Sequence, residues 1–147
     1  MARKKLALIT GVSGQDGSYL ASFLLKKNYK VIGSDRRSAR HSLWRLKYLN
    51  IEEKVIFEEL ELGEIYNVER VFKKYKFDEI YNLAAQSFVK SSFESPLNTA
   101  SITGLGVLRL LECVRVYAPN AKFYQASSSE MFGNASNNIQ NENTVFK

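Results

Sequence analysis

Cysteine occurs once in the 147 residues, at Cys113, and histidine once, at His41. A single thiol cannot close an intrachain disulfide, and Cys113, at an apolar position of a helical pattern, is expected to be buried and inert. With no clustered Cys or His at ligand spacing, no metal site is expected. No uninterrupted apolar run approaches the roughly 20 residues that span a bilayer. The basic start, Met1 to Lys5, leads into a short strand instead of a signal-peptide core. A cytoplasmic location without a membrane partner is the expectation. Internal repeats, low-complexity tracts and linkers are also missing, which leaves one domain.

What is present fits such a domain. Hydrophobic residues make up 45% and charged residues 24%, so the chain can bury roughly 70% of the surface it exposes when unfolded. The formal net charge of +6 is spread over Lys26 and Lys27, Arg36 and Arg37, Lys73 and Lys74, and Lys122, all on separate elements. Without a single basic stripe, nucleic acid is not an expected partner, and an anionic small molecule is.

Apolar periodicity alternates between strand and helix with short connections, which predicts an α/β domain with a mostly parallel sheet. Leu6 to Thr10 is a continuous apolar run suited to a strand buried on both faces. Tyr19, Leu20, Phe23 and Leu24 give helical spacing from Ser18 to Asn28, closed by Lys26, Lys27 and Asn28. Lys30 to Ser34, Lys54 to Leu60, Asp78 to Leu83 and Ala121 to Ala126 read as further strands. Helices are predicted over Ser42 to Leu49, Glu64 to Tyr75 and about Asn98 to Tyr117. A polar loop is expected around Pro96 and another, Asn-rich and on the surface, from Asn134 to Asn143.

Polar or glycine-rich clusters stand at the ends of these strands. The segment T-G-V-S-G-Q-D-G carries Gly11, Gly14 and Gly17 between a strand and a helix. Three glycines let the backbone turn and approach a pyrophosphate seated on the helix N-terminus, whereas a ligand-free turn needs one. Its expected cofactor contacts are Gly11, Ser13, Gly14, Gln15, Asp16 and Gly17. At the end of the second strand, Asp35 is placed to accept from a ribose hydroxyl, and Arg36 and Arg37 to pair with a 2′-phosphate. Two guanidinium groups outweigh one carboxylate, so NADP is expected, with NAD the alternative; the Arg pair can also be a solvated turn. The fourth strand ends in N-L-A-A-Q-S, where Leu83, Ala84 and Ala85 let a cofactor approach the backbone and Gln86 and Ser87 can orient a substrate. The fifth ends in A-S-S-S-E, where Ser128 and Glu130 project together if the extended conformation continues. Composition alone leaves that segment open between a hydroxyl and carboxylate pair and a serine-rich loop with an exposed Glu. The clusters are expected to face one crevice outside the carboxyl ends of the strands.

In combination, T-G-V-S-G-Q-D-G-S-Y-L, E-I-Y-N-L-A-A-Q-S-F-V, G-V-L-R-L-L-E and F-Y-Q-A-S-S-S-E-M-F-G resemble the GDP-mannose 4,6-dehydratase family of extended short-chain dehydrogenase/reductases, across essentially the whole chain. The chain differs from the family pattern in having Ser128 for a usual Thr, Leu60-Glu61 for a usual Gly-Asp, and Asp35 for an apolar or neutral residue before the Arg pair. The resemblance implies a Rossmann-type doubly wound parallel sheet and a lyase reaction from GDP-mannose to GDP-4-keto-6-deoxymannose. It also implies a nicotinamide cofactor recycled between oxidation at C-4 and reduction at C-6, with Glu61 and Leu62 at the third strand end among its contacts. Glu130 is implied as the base at C-5 and the proton donor to the leaving C-6 hydroxyl, a role suited to a partly desolvated carboxyl. Ser128 is implied as the hydrogen-bond partner of the C-4 oxygen. The superfamily's Tyr-x-x-x-Lys pair is absent from these 147 residues. The expectation is therefore an incomplete NAD(P)-binding domain over 1–147, truncated after the fifth strand and lacking the C-terminal domain that grips GDP. Such a piece is expected to be inactive alone and homo-oligomeric when complete. The alternatives are another NAD(P)-dependent nucleotide-sugar reductase or epimerase, and a non-catalytic nucleotide-binding fragment.

Overall fold

Burial along the first apolar run sets the layers. In the computed structural model, which describes residues 3–37, 43–134 and 139–147, Leu6–Thr10 forms a strand, β1, buried at every position. Its two-residue alternation sends Leu6 and Leu8 into one core cluster and Ala7 and Ile9 into another. His41 and the first two residues lie outside the described residues, as do residues 135–138 of the Asn-rich loop. After β1 come α1 (Gln15–Lys26), β2 (Lys30–Asp35), α2 (Trp44–Tyr48), a 3-10 turn (Glu52–Lys54), β3 (Ile56–Glu59), α3 (Ile65–Lys74) and β4 (Glu79–Asn82). Then follow α4 (Val89–Glu94), α5 (Pro96–Thr99), a π-helical segment (Ala100–Leu105), α6 (Gly106–Tyr117), β5 (Lys122–Gln125) and a 3-10 turn (Ser129–Phe132).

All strand pairs are parallel, in the order β3-β2-β1-β4-β5, which is the doubly wound Rossmann-type arrangement expected. Val68, Val71 and Phe72 of α3 and Leu110 of α6 cover one face. Ala21 and Leu24 of α1 and Leu46 of α2 cover the other. The order reverses between β1 and β4, and such a switch point opens a crevice at the carboxyl ends of the strands.

Several boundaries differ from the sequence reading. The helix after the glycines starts at Gln15, three residues early, because Gly14 already serves as its cap. The 3-10 turn Glu52–Lys54 takes up the beginning of the stretch read as the third strand. The polar loop around Pro96 is largely helical, as α4 and α5. Neither helix buries a side chain, so no core periodicity marked them, and Pro96 occupies the first turn where its fixed φ is tolerated.

From Pro96 the helical run continues to Tyr117, 22 residues whose most apolar 18-residue stretch has a mean hydropathy of 1.2, and among the described residues it is the one helix long and apolar enough to cross a membrane by length and composition. No unbroken apolar run announces it, because Thr99, Ser101, Thr103, Arg109, Glu112 and Arg115 interrupt the stretch. Gly106, Leu110 and Cys113 on it are buried. Cys113 is 2% exposed, and burial pushes its thiol up to about 11, the inert state expected.

On β3, the buried Glu58 accepts from Lys74 Nζ at 2.5 Å, from the Tyr75 hydroxyl at 2.7 Å and from Arg70 Nη1 at 3.0 Å. Burial alone pushes this carboxyl up, but the donors outweigh it and hold the group at about 2 against an ordinary 4.5. Its folded form therefore titrates below the unfolded one, and the stability it contributes is present above pH 4.5 and lost as pH falls toward 2. Lys74 and Arg70 are about half exposed, so roughly 1–2 kcal/mol is expected instead of the ~3 kcal/mol of the full shift. Urea unfolding of Glu58→Gln beside the parent checks it. The parent's advantage at neutral pH should shrink steadily through that acid window, and a difference independent of pH would contradict the assignment.

Candidate functional site

Thr10, the last residue of β1, is 1% exposed, and its hydroxyl organises the strand reversal. It donates to Asn82 Oδ1 at 2.5 Å and accepts from the backbone N–H groups of Leu83 and Ala84, each at 3.2 Å. Asn82, fully buried at the end of β4, donates its amide to Gln125 Oε1 on β5 at 2.8 Å. Side chains thereby tie three parallel strands at their carboxyl ends and satisfy backbone donors just past the ladder.

The three glycines have different local reasons. Gly11 has φ +70°, and a Cβ there would lie 3.1 Å from Ala84 N, so the turn runs hard against the end of β4. The Gly14 N–H donates to Gly11 O at 3.0 Å. Gly17 is buried inside α1, where a Cβ would stand 2.3 Å from Gly11 O and 2.8 Å from Val12 Cα, so only glycine lets the helix sit on the loop. The resulting helix N-terminus favours an anion.

A cleft of about 260 Å³ opens over these strand ends. Of the residues singled out in the sequence it brings together Gly11, Ser13, Gly14, Asp35, Arg36, Glu61, Leu62, Leu83, Ala84, Ala85, Gln86 and Ser87, and it adds Thr10, Ser34, Leu60 and Ile102. Four expected contacts do not line it. Gln15 borders an adjoining groove with Tyr19 and Arg45, Asp16 is exposed on the first turn of α1, Gly17 is buried under the loop, and Arg37 is exposed beyond β2. Asp35 accepts from the Ser13 hydroxyl on one carboxylate oxygen and from the Arg36 backbone N–H, at 2.9 Å, on the other. Arg45 of α2 stacks over Trp44 at 4.4 Å and donates to Ser13 O at 3.1 Å.

The segment after β5 corrects the sequence reading. Ser127 takes a left-handed φ of 62° and turns the chain out of the strand direction. Ser128 then caps the 3-10 turn, its Oγ accepting from the Glu130 N–H at 3.2 Å. The extended conformation does not continue, so Ser128 and Glu130 do not project side by side from a strand. Both are exposed and neither lines the cleft, so the partly desolvated Glu130 carboxyl expected from the sequence is not found among the described residues.

Sequence reasoning passed over Ile102, Arg45 and the linking roles of Thr10 and Asn82. A Thr and an Asn closing two otherwise apolar strands beside a glycine turn were the available signal for the last two. Nothing local marks Ile102, whose place in the cleft depends on the helix register.

The GDP-mannose 4,6 dehydratase family model matches residues 8–147. A GDP-mannose 4,6-dehydratase of Vibrio cholerae is 45% identical over 150 residues, covering 97% of this chain and 40% of its own length. The chain thus spans about 40% of the length of the curated relatives it matches. Among solved structures, the UDP-Glc/GlcNAc 4-epimerase of Campylobacter jejuni superposes with a TM-score of 0.83 at 23% identity, over 97% of this chain and 43% of that one, a likeness of fold. The Thermus thermophilus UDP-glucose 4-epimerase, solved in complex with NAD, gives a TM-score of 0.65 at 30% identity over 76% of this chain and 34% of its own.

Proposed function

The chain belongs to the GDP-mannose 4,6 dehydratase family, and from that premise we propose that its cleft holds the dinucleotide of an enzyme that dehydrates GDP-mannose. The observation that carries the reading is the meeting of a strand-order reversal, a glycine turn and a helix N-terminus on one cleft. Backbone N–H groups of the glycine turn would take the pyrophosphate, and the end of β2 the adenosine ribose. Leu60 to Leu62 with Ile102 would enclose the base, and Leu83 to Ala85 would back the nicotinamide. When bound, the nicotinamide supplies reversible redox chemistry at the sugar. The chain's own residues handle the protons and the pose. Glu130 takes the C-5 proton and returns one to the departing C-6 oxygen, Ser128 donates its hydroxyl to the C-4 oxygen while still accepting from the Glu130 N–H, and Gln86 and Ser87 orient the sugar.

The proposal extends to NADP over NAD. Both carboxylate oxygens of Asp35 are engaged by its neighbours, which weakens it as a ribose reader, while Arg36 lines the cleft. Calorimetric titration should show tighter binding of NADP, with most of the difference gone when both Arg36 and Arg37 become Ala. Charge-assisted contacts contribute roughly 1.5–3 kcal/mol each at best. Equal affinities in the parent would turn the assignment toward NAD. A cytoplasmic location and homo-oligomeric assembly of the whole enzyme belong to the same proposal, as does a role for residues 1–147 as its cofactor portion. The activity itself is tested by fusing this chain to the part of the Vibrio cholerae relative beyond the matched region. Formation of a 4-keto-6-deoxy product from GDP-mannose supports the reading, and an epimer or reduced sugar in its place refutes it.

A further inference from the structure

The helical run from Pro96 to Tyr117 supplies one residue, Ile102, to the cleft lining, and it leaves α geometry where it does so. Its π-helical segment, Ala100–Leu105, places Ile102 in the cleft lining and brings Thr103 Oγ1 within 3.1 Å of the Gln86 N–H that donates to it. A π insertion disturbs the regular i→i−4 ladder and is frequent at functional sites. Farther along, the part-buried Arg109 reaches back across that segment. Its Nη1 donates to Ser101 O at 2.8 Å and to Leu62 O, on the loop after β3, at 3.1 Å. Beside this bridge Gly106 is buried, and a Cβ there would stand 3.0 Å from Leu62 Cβ. Two independent features therefore fix Leu62 against the helix, a guanidinium on its carbonyl and a missing methyl under its side chain.

Leu62 lines the cleft on the side of β2 and β3. With the pyrophosphate on the glycine turn and the ribose at the end of β2, the adenine falls over the next strand end, Leu60 to Leu62. We infer that Arg109 is a positioning residue for the adenine wall of the cleft, holding Leu62 on Gly106 so that this wall is ordered before the dinucleotide arrives. Arg109 lines no part of the cleft; it acts through Leu62, and a wall ordered in advance removes an ordering cost from binding. The inference rests on the dinucleotide reading above.

The experiment is calorimetric titration of the chain with NADP, NAD and ADP-ribose, beside thermal unfolding. Arg109→Ala is expected to weaken binding of all three by about tenfold, the scale of one lost charge-assisted donor. Arg109→Lys, which keeps a donor, should stay within about threefold of the parent. Gly106→Ala separates affinity from stability. Alanine is the better helix former, so the thermal midpoint should hold near the parent's while the added methyl displaces Leu62 and affinity falls. Leu108→Gly, on the exposed face of α6, is the structural control and should lower the midpoint without changing affinity. A parent that binds, with Arg109→Ala and Gly106→Ala binding equally well, overturns the inference and leaves the dinucleotide reading standing. A parent that binds none of the three ligands overturns both. If Arg109→Ala does not fold, Gly106→Ala decides alone.

Discussion

Glu130→Gln, made in the chain fused to the remaining portion of the Vibrio cholerae relative, is expected to lower GDP-mannose dehydration roughly 10²–10⁴-fold, the range for removing a general base. Glutamine keeps the shape and the hydrogen-bonding reach of Glu130 but cannot accept the C-5 proton, so oxidation at C-4 survives while elimination stalls. The geometry makes this a pointed test. Glu130 sits in a 3-10 turn whose cap is Ser128, so the two proposed substrate contacts share one turn although they do not share a strand face. A glutamine at 130 keeps the backbone N–H that Ser128 accepts, and the turn should persist. The deciding measurement is deuterium uptake from solvent at C-5, followed together with product formation. Parent-like exchange and turnover in the glutamine variant would make Glu130 an ordinary exposed loop residue and move the enzyme toward the epimerases.

Gly17→Ala should be the most damaging of the glycine substitutions. The new methyl would meet Gly11 O at 2.3 Å and Val12 Cα at 2.8 Å, both backbone atoms that cannot swing away. Overpacking a core costs typically 1–3 kcal/mol, and contacts this short against fixed backbone belong at or above the top of that range. A loss of about 3 kcal/mol lowers the midpoint of a chain of this size by roughly 6–12 °C. Dinucleotide binding should fail with it, because relief of the contact must lift α1 off the turn that presents its N-terminus. Gly14→Ala, with one contact at 3.1 Å to Gly11 O, should be much milder. Circular-dichroism melts of the two variants decide it, and a Gly17→Ala midpoint at or above that of Gly14→Ala would show that the loop yields.

The contrast between these glycines shows what was legible in the sequence. Continuous apolar strands, three glycines at a strand end and helical spacing of Tyr19, Leu20, Phe23 and Leu24 are all local, and they placed the sheet, the turn and the cleft. The missing pieces depend on partners far along the chain. Thr10 bonds Asn82 72 positions away, and Arg109 bonds Leu62 47 positions away, so no window on the sequence contains both ends. Helices α4 and α5 escaped notice for a different reason, since with no buried side chain they leave no periodic trace. The turn after β5 depends on one left-handed serine, Ser127, a conformation that serine seldom adopts and that its identity does not advertise.

The sealed thiol on the buried side of α6 has a practical corollary. With burial pushing its thiol up to about 11 and 2% of its surface open, Cys113 offers little thiolate near neutrality and little surface to a thiol reagent. The chain is in effect a natural blank for thiol chemistry. A cysteine introduced at the exposed, cleft-lining Ser87 will carry a fluorophore or spin label alone. Nucleotide binding can then be followed optically or magnetically without first stripping a native sulfur from the core.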